Sequence, residues 1–138
     1  MRLEPAAGGD APPPHARSEL GQWPIQLHLA NPHSGLFQDA DLLLAADCTA
    51  FACGSFHTEL LRGRKLLIAC PKLDSNQEIY EEKLVQILRT GVRSLTVAIM
   101  EVPCCRGLEA LAREALTQSG SNLKLELKVV SIRDGSMR

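Results

Sequence analysis

The chemistry on offer in this sequence rests mainly on four cysteines, two of them adjacent. Cys104 and Cys105 sit in Glu101-Val102-Pro103-Cys104-Cys105-Arg106-Gly107. The apolar run Leu95–Met100 comes just before them, and a helical pattern through Leu108, Leu111, Ala112 and Ala115 follows. Cys48 and Cys70 also close apolar, β-prone runs. In a parallel sheet the ends of such runs share one edge, with neighbouring strands about 4.8 Å apart. Thiols distant in sequence can therefore converge. Four thiolates suit zinc or an iron–sulfur cluster, and thiols without metal support redox exchange. The competing explanation is buried structural cysteine, a common core residue. A disulfide between Cys104 and Cys105 is disfavoured, because consecutive Cα atoms lie about 3.8 Å apart, closer than a disulfide normally spans.

The neighbours of these thiols are the next candidates. Cys105 and Arg106 are placed to begin a helix, where free N–H groups and the helix dipole favour a thiolate. Arg106 either adds a positive charge there or is a solvated surface side chain. Asp47, beside Cys48, can orient a ligand from behind or cap a helix. Cys53 lies five residues after Cys48 and reads first as a packing residue. His57 is a candidate ligand or hydrogen-bond donor to a thiolate, against the plainer reading of an exposed histidine. His28 and His33 have no partner that the sequence names. There is no glycine-rich phosphate loop, no G-x-S-x-G and no H-E-x-x-H, so a nucleotide enzyme or a serine hydrolase has no support.

The elements that must position these residues follow from pattern and punctuation. Residues 1–20 are rich in proline and glycine, lack apolar groups to bury, and are expected to be a disordered tail. Residues 21–138 form the α/β domain. Ile25-Gln26-Leu27-His28-Leu29 alternates and suits a half-buried strand. Leu42–Ala46, Lys65–Ala69 and Leu95–Met100 read as buried strands, and Leu123–Ile132 as a last strand at an edge. Phe51–Arg62 reads as a short helix stopped at Gly63. Ser75 and Glu78 fit a capping box that opens a helix carrying Tyr80, Leu84, Ile87 and Leu88. A third helix runs from the Cys-Cys turn to about Gln118. Strands alternating with helices imply a three-layer α/β domain with a mostly parallel sheet of about five strands, Rossmann-like or flavodoxin-like.

Composition narrows the function classes. A net charge of −1 gives no overall field for nucleic acid or anionic lipid, and 4% aromatic residues provide no base-stacking surface. No apolar run approaches the roughly 20 residues of a membrane span, and the first residues lack the apolar region of a secretory signal. The expected home is the cytoplasm, where the five cysteines would be reduced thiols rather than a disulfide framework.

Four ordered motifs together resemble a known domain: Trp23–Leu29, Ala40–Cys48, Ala69-Cys70-Pro71-Lys72-Leu73-Asp74 and Met100-Glu101-Val102-Pro103-Cys104-Cys105. It is the C-terminal α/β domain of the ferredoxin-type 4Fe–4S binding proteins of anaerobic bacteria and archaea, and the likeness spans roughly residues 21 to 133. Cys48, His57, Cys70, Cys104 and Cys105 fit that family's pattern, whereas Cys53 stands where the family tends to have an aromatic. The ferredoxin half, with its C-x-x-C-x-x-C clusters, is absent from this sequence. The resemblance implies iron–sulfur chemistry and a ferredoxin-like electron-transfer partner. The expectation is therefore a binding or redox module more than an enzyme, with Cys48, Cys70, Cys104 and Cys105 as metal ligands. Asp47, Cys53, His57 and Arg106 stand around them. An iron–sulfur cluster is the expected cofactor, with zinc, a thiol-redox site or a metal-free docking domain as alternatives.

Overall fold

The structure is a computed structural model and describes residues 16–138. Four strands form one sheet: β1 (Asp41–Ala46), β2 (Lys65–Ala69), β3 (Ser94–Met100) and β4 (Leu125–Val130). Their spatial order is β2-β1-β3-β4, and every pair is parallel. The helices are α1 (Thr49–Ala52), α2 (Gln77–Leu88) and α3 (Arg106–Ser119), with a π-helical turn at Phe56–Leu61.

Burial on both faces is why the central strands read as unbroken apolar runs. On one face Leu42, Leu44, Val97 and Ile99 pack under α2 and α3, whose Leu84, Ile87, Leu108 and Ala112 point down onto them. On the other face, the lower one with α2 and α3 taken as above the sheet, Leu43, Ala45, Ala98 and Met100 pack against Cys53, Phe56, Leu60 and Leu61. The sheet is thus covered by long helices on one side and by α1, the π turn and both flanking segments on the other. Among the described residues, no helix is long and apolar enough to cross a membrane.

Three details differ from the sequence expectation. The sheet has four strands and not about five, because Ile25–Leu29 does not extend. Gln26 makes one isolated parallel bridge to Ile68, and Leu27–Leu29 then tightens into a 3-10 turn that buries Leu27. Pro24 supplies no N–H, and the space alongside β2 is taken by Gln22. Its side-chain amide donates to Leu66 O (2.5 Å) and accepts from Leu66 N (3.1 Å), as a strand residue would. The segment Phe51–Arg62 is not one helix: α1 ends at Ala52, and Cys53-Gly54-Ser55 breaks it before the π turn. The capping box at Ser75 does not form either. The residue preceding α2 is Asn76, in a left-handed conformation (φ 59°) without a side-chain cap.

Of the expected tail, residues 1–15 lie outside the described residues. Within residues 16–20, Glu19 pairs with Arg62 at 3.2 Å and Leu20 packs against the lower core. The last expected strand sits at the sheet edge as read, and residues 136–138 fold back along it through Val129, Val130 and Ser131.

Candidate functional site

All four strands are parallel, so all of them end at the same edge. Beyond the last paired positions, Ala46 with Ala69 and Ala45 with Ala98, the chain leaves β1 at Asp47-Cys48 and β2 at Cys70-Pro71. It leaves β3 at Glu101, toward the 3-10 turn Pro103–Cys105. From β1 it turns to the lower face, into α1 and the π turn. From β3 it turns to the upper face, into α3. Adjacent strands whose connections diverge to opposite faces open a crevice at their carboxyl ends, the usual ligand position in open α/β sheets. Cys48 stands on one lip of this crevice and Cys104 and Cys105 on the other.

Cys105 feels the charge of Cys48 across it. Cys105 is half-buried, and burial is the largest cause pushing its thiol pKa up. The Met100 backbone offsets part of this, while Cys104 and then Cys48 push the same way. A helix start was expected to favour the Cys105 thiolate; here burial is the largest cause, and it acts the other way. Arg106 is exposed and lies 3.7 Å from Glu109 on its own helix. Cys48 and Cys104 are exposed. Cys70, half-buried, is brought toward the same turn by its neighbour: a methyl group placed on Gly107 would stand 3.6 Å from Pro71 Cβ, so the Pro71 ring lies against the first turn of α3.

Asp47 shares this edge. Its Oδ1 is buried with no hydrogen-bond partner among the described residues. Burial first, and the charge of Asp74 second, push its carboxyl above the usual range. Both causes disfavour a bare carboxylate and would be relieved by a proton or a cation.

Two candidates stand apart from the thiols in their recorded contacts. Cys53 is 1% exposed within the lower core, its Sγ 3.6 Å from Ser55 Oγ. His57 is exposed, and its Nδ1 accepts the Glu19 N–H at 3.1 Å, so in the neutral ring Nε2 carries the proton. Among the described residues, no three His, Cys, Asp or Glu side chains are already gathered closely enough to hold a metal ion.

Sequence reading missed a polar network behind Cys70. The hydroxyl of fully buried Tyr80 donates to Asp74 Oδ2, and the same oxygen accepts the Cys70 N–H at 2.9 Å. His28, which had no nameable partner, stacks on Tyr80 with ring centroids 3.8 Å apart. The signal was Tyr80 itself: a tyrosine on the buried face of a helix needs a partner for its hydroxyl, and Asp74 lies six residues upstream.

A family model described as a Rossmann-like domain matches residues 34–137. A protein of Archaeoglobus fulgidus described as uncharacterized is 25% identical over 114 residues, covering 83% of this chain and 80% of that one. No solved structure matches the chain.

Proposed function

The chain belongs to the Rossmann-like domain family, and from that footing we propose that it is a soft-metal-binding module whose ligands are Cys48, Cys70, Cys104 and Cys105. An iron–sulfur cluster is the specific occupant, and zinc its competitor. The observation that supports the reading is the divergence of the β1 and β3 connections at the carboxyl end of the sheet, with Cys48 just after β1 and Cys104 and Cys105 just after β3.

The donor set fits such a centre chemically. Thiolates are the ligands that zinc and iron–sulfur clusters share. Burial pushes the Cys105 thiol pKa up, so thiolate charge there is costly without a cation. Two exposed and two half-buried thiols leave the mouth open for entry. Because no three ligands are already gathered, uptake has to draw the three loops together and release protons as it does so. A bound cluster would supply a one-electron centre for electron transfer or redox regulation, and a ferredoxin-like protein in the cytoplasm is the partner that chemistry suits.

The test is anaerobic reconstitution of the full chain, with iron and sulfide and then with zinc, on wild type and on Cys104→Ser/Cys105→Ser. Wild type should take up metal with release of protons, and the double variant should lose uptake while keeping its fold. Wild type taking up neither metal, or the variant taking up as much as wild type, would overturn the metal reading.

A further inference from the structure

The loop from β2 to α2 carries Cys70 and is open to solvent at Lys72, Leu73, Ser75 and Asn76, with Leu73 84% exposed. An exposed seven-residue connection would be expected to move. Here it is fixed from behind. Leu73 and Asp74 return their N–H groups to Cys70 O at 3.1 and 2.8 Å, and Gln77 Nε2 donates to Pro71 O. Asp74 Oδ2 takes both the Cys70 N–H and the Tyr80 hydroxyl. Tyr80 is in turn clamped. His28 lies parallel to its ring, His28 Nε2 meets Ser75 O at 2.8 Å, and the Lys83 ammonium donates to His28 O. Burial, and then the bond to Asp74, push the Tyr80 hydroxyl toward staying protonated, so it remains a donor.

We infer that Asp74, held by the buried Tyr80 hydroxyl, is a positioning residue for Cys70: it locks the turn that sets Cys70 against the start of α3. This rests on the membership of Cys70 in the proposed thiol site. The geometry has two ends. Behind, Asp74 ties the Cys70 backbone to a helix face that packs in the core. In front, Pro71 abuts Gly107, so the same turn fixes the separation between Cys70 and the Cys104-Cys105 turn. Releasing Asp74 frees the turn without touching a thiol.

The experiment uses the full chain under anaerobic conditions, with Asp74→Ala and Tyr80→Phe. Cobalt(II) is the metal probe, because its thiolate charge-transfer band reports both affinity and the number of sulfur ligands. A small alkylating reagent, read peptide by peptide, reports the freedom of each cysteine without metal. Asp74→Ala should speed alkylation of Cys70 roughly tenfold, the equivalent of one hydrogen bond to a carboxylate, and weaken cobalt binding by a similar factor. Cys48 should alkylate as before, and the charge-transfer intensity per cobalt should fall. Tyr80→Phe should do the same to a lesser degree, and it decides the matter if Asp74→Ala fails to fold. Unchanged Cys70 alkylation in both variants would overturn the inference. So would wild-type cobalt affinity in both, and that result would leave the metal reading standing. If wild type binds no cobalt, the metal reading is what fails, and the Cys70 alkylation rates still decide whether Asp74 holds the turn.

Discussion

Replacing Gly135 by alanine should be costly far beyond its place in a surface turn. Gly135 has φ +74°, a left-handed conformation that disfavours a side chain. A Cβ there would overlap the Ala52 carbonyl oxygen and stand 3.2 Å from its carbon and 3.4 Å from Cys53 Cα. All three atoms are backbone, at the junction between α1 and the buried Cys53, so no flexible side chain can swing aside. The left-handed conformation costs about 1–2 kcal/mol, and relief of the overlap adds a similar amount, as overpacking usually does. The sum is about 2–4 kcal/mol, which for a domain of this size lowers Tm by roughly 10 °C. Urea denaturation and thermal melts measure it, with Gly54→Ala as control, since a Cβ on Gly54 meets nothing within 4 Å. Hydrogen exchange then shows where the strain goes. If the C-terminal turn lifts away, the Arg138 N–H bonded to Val129 O and the Ser131 N–H bonded to Ser136 O should lose protection first. A loss below about 0.5 kcal/mol with those amides still protected would refute the reasoning.

Three further outcomes follow from two groups away from the thiol edge. At the opposite edge, bonds from Arg93 and then Ser94 hold the Asp41 carboxyl down to about 2, against an ordinary 3.8. A folded value below the unfolded one means the stabilisation is complete above about pH 4 and is lost as pH falls through about 2. Discounted for solvent screening it amounts to about 1 kcal/mol, so the stability gap between wild type and Arg93→Ala should close over that window, as acid–urea titration can show. Cys53, sealed in the lower core, should resist alkylation in the native protein while Cys48 and Cys104 react. Cys53→Ser should cost about 1–2 kcal/mol for burying a hydroxyl without altering metal uptake.

The parts of the fold legible in the sequence were those where one physical effect dominates. Leu42–Ala46 and Leu95–Met100 are sandwiched between two cores, and burial on both faces leaves a continuous apolar run and little else to read. From those runs the parallel sheet and the common edge of Cys48, Cys70 and the Cys-Cys turn follow. Ile25–Leu29 misled because its alternation is also what a chain shows when it touches a sheet edge once and then buries a single leucine. The segment lost to a side chain, Gln22, whose amide happens to have the donor and acceptor of a peptide group. Ser75 misled because a capping box competes with tertiary bonds: Asp74 is bound to Cys70 and Tyr80, and Ser75 O meets His28, so the turn takes its shape from them. At Cys105 two effects compete. A helix start pulls one way and burial the other, and burial depends on what packs above the turn.

Gln22 also governs how this sheet can meet other molecules. A parallel sheet normally leaves two rows of unsatisfied peptide groups along its outer strands, and such rows invite strand addition from another chain. Along β2 that invitation is withdrawn by one amide side chain together with Ile25 O, which accepts the Ile68 N–H. Along β4 residues 136–138 withdraw it only at the carboxyl end, from Val129 to Ser131. Strand addition is therefore blocked along β2 and at the carboxyl end of β4, whereas the outer side of Leu125–Lys128 has no strand partner among the described residues. The carboxyl end of the sheet is the other face left for contact, and it carries exposed Cys48, Phe51, Leu73 and Cys104.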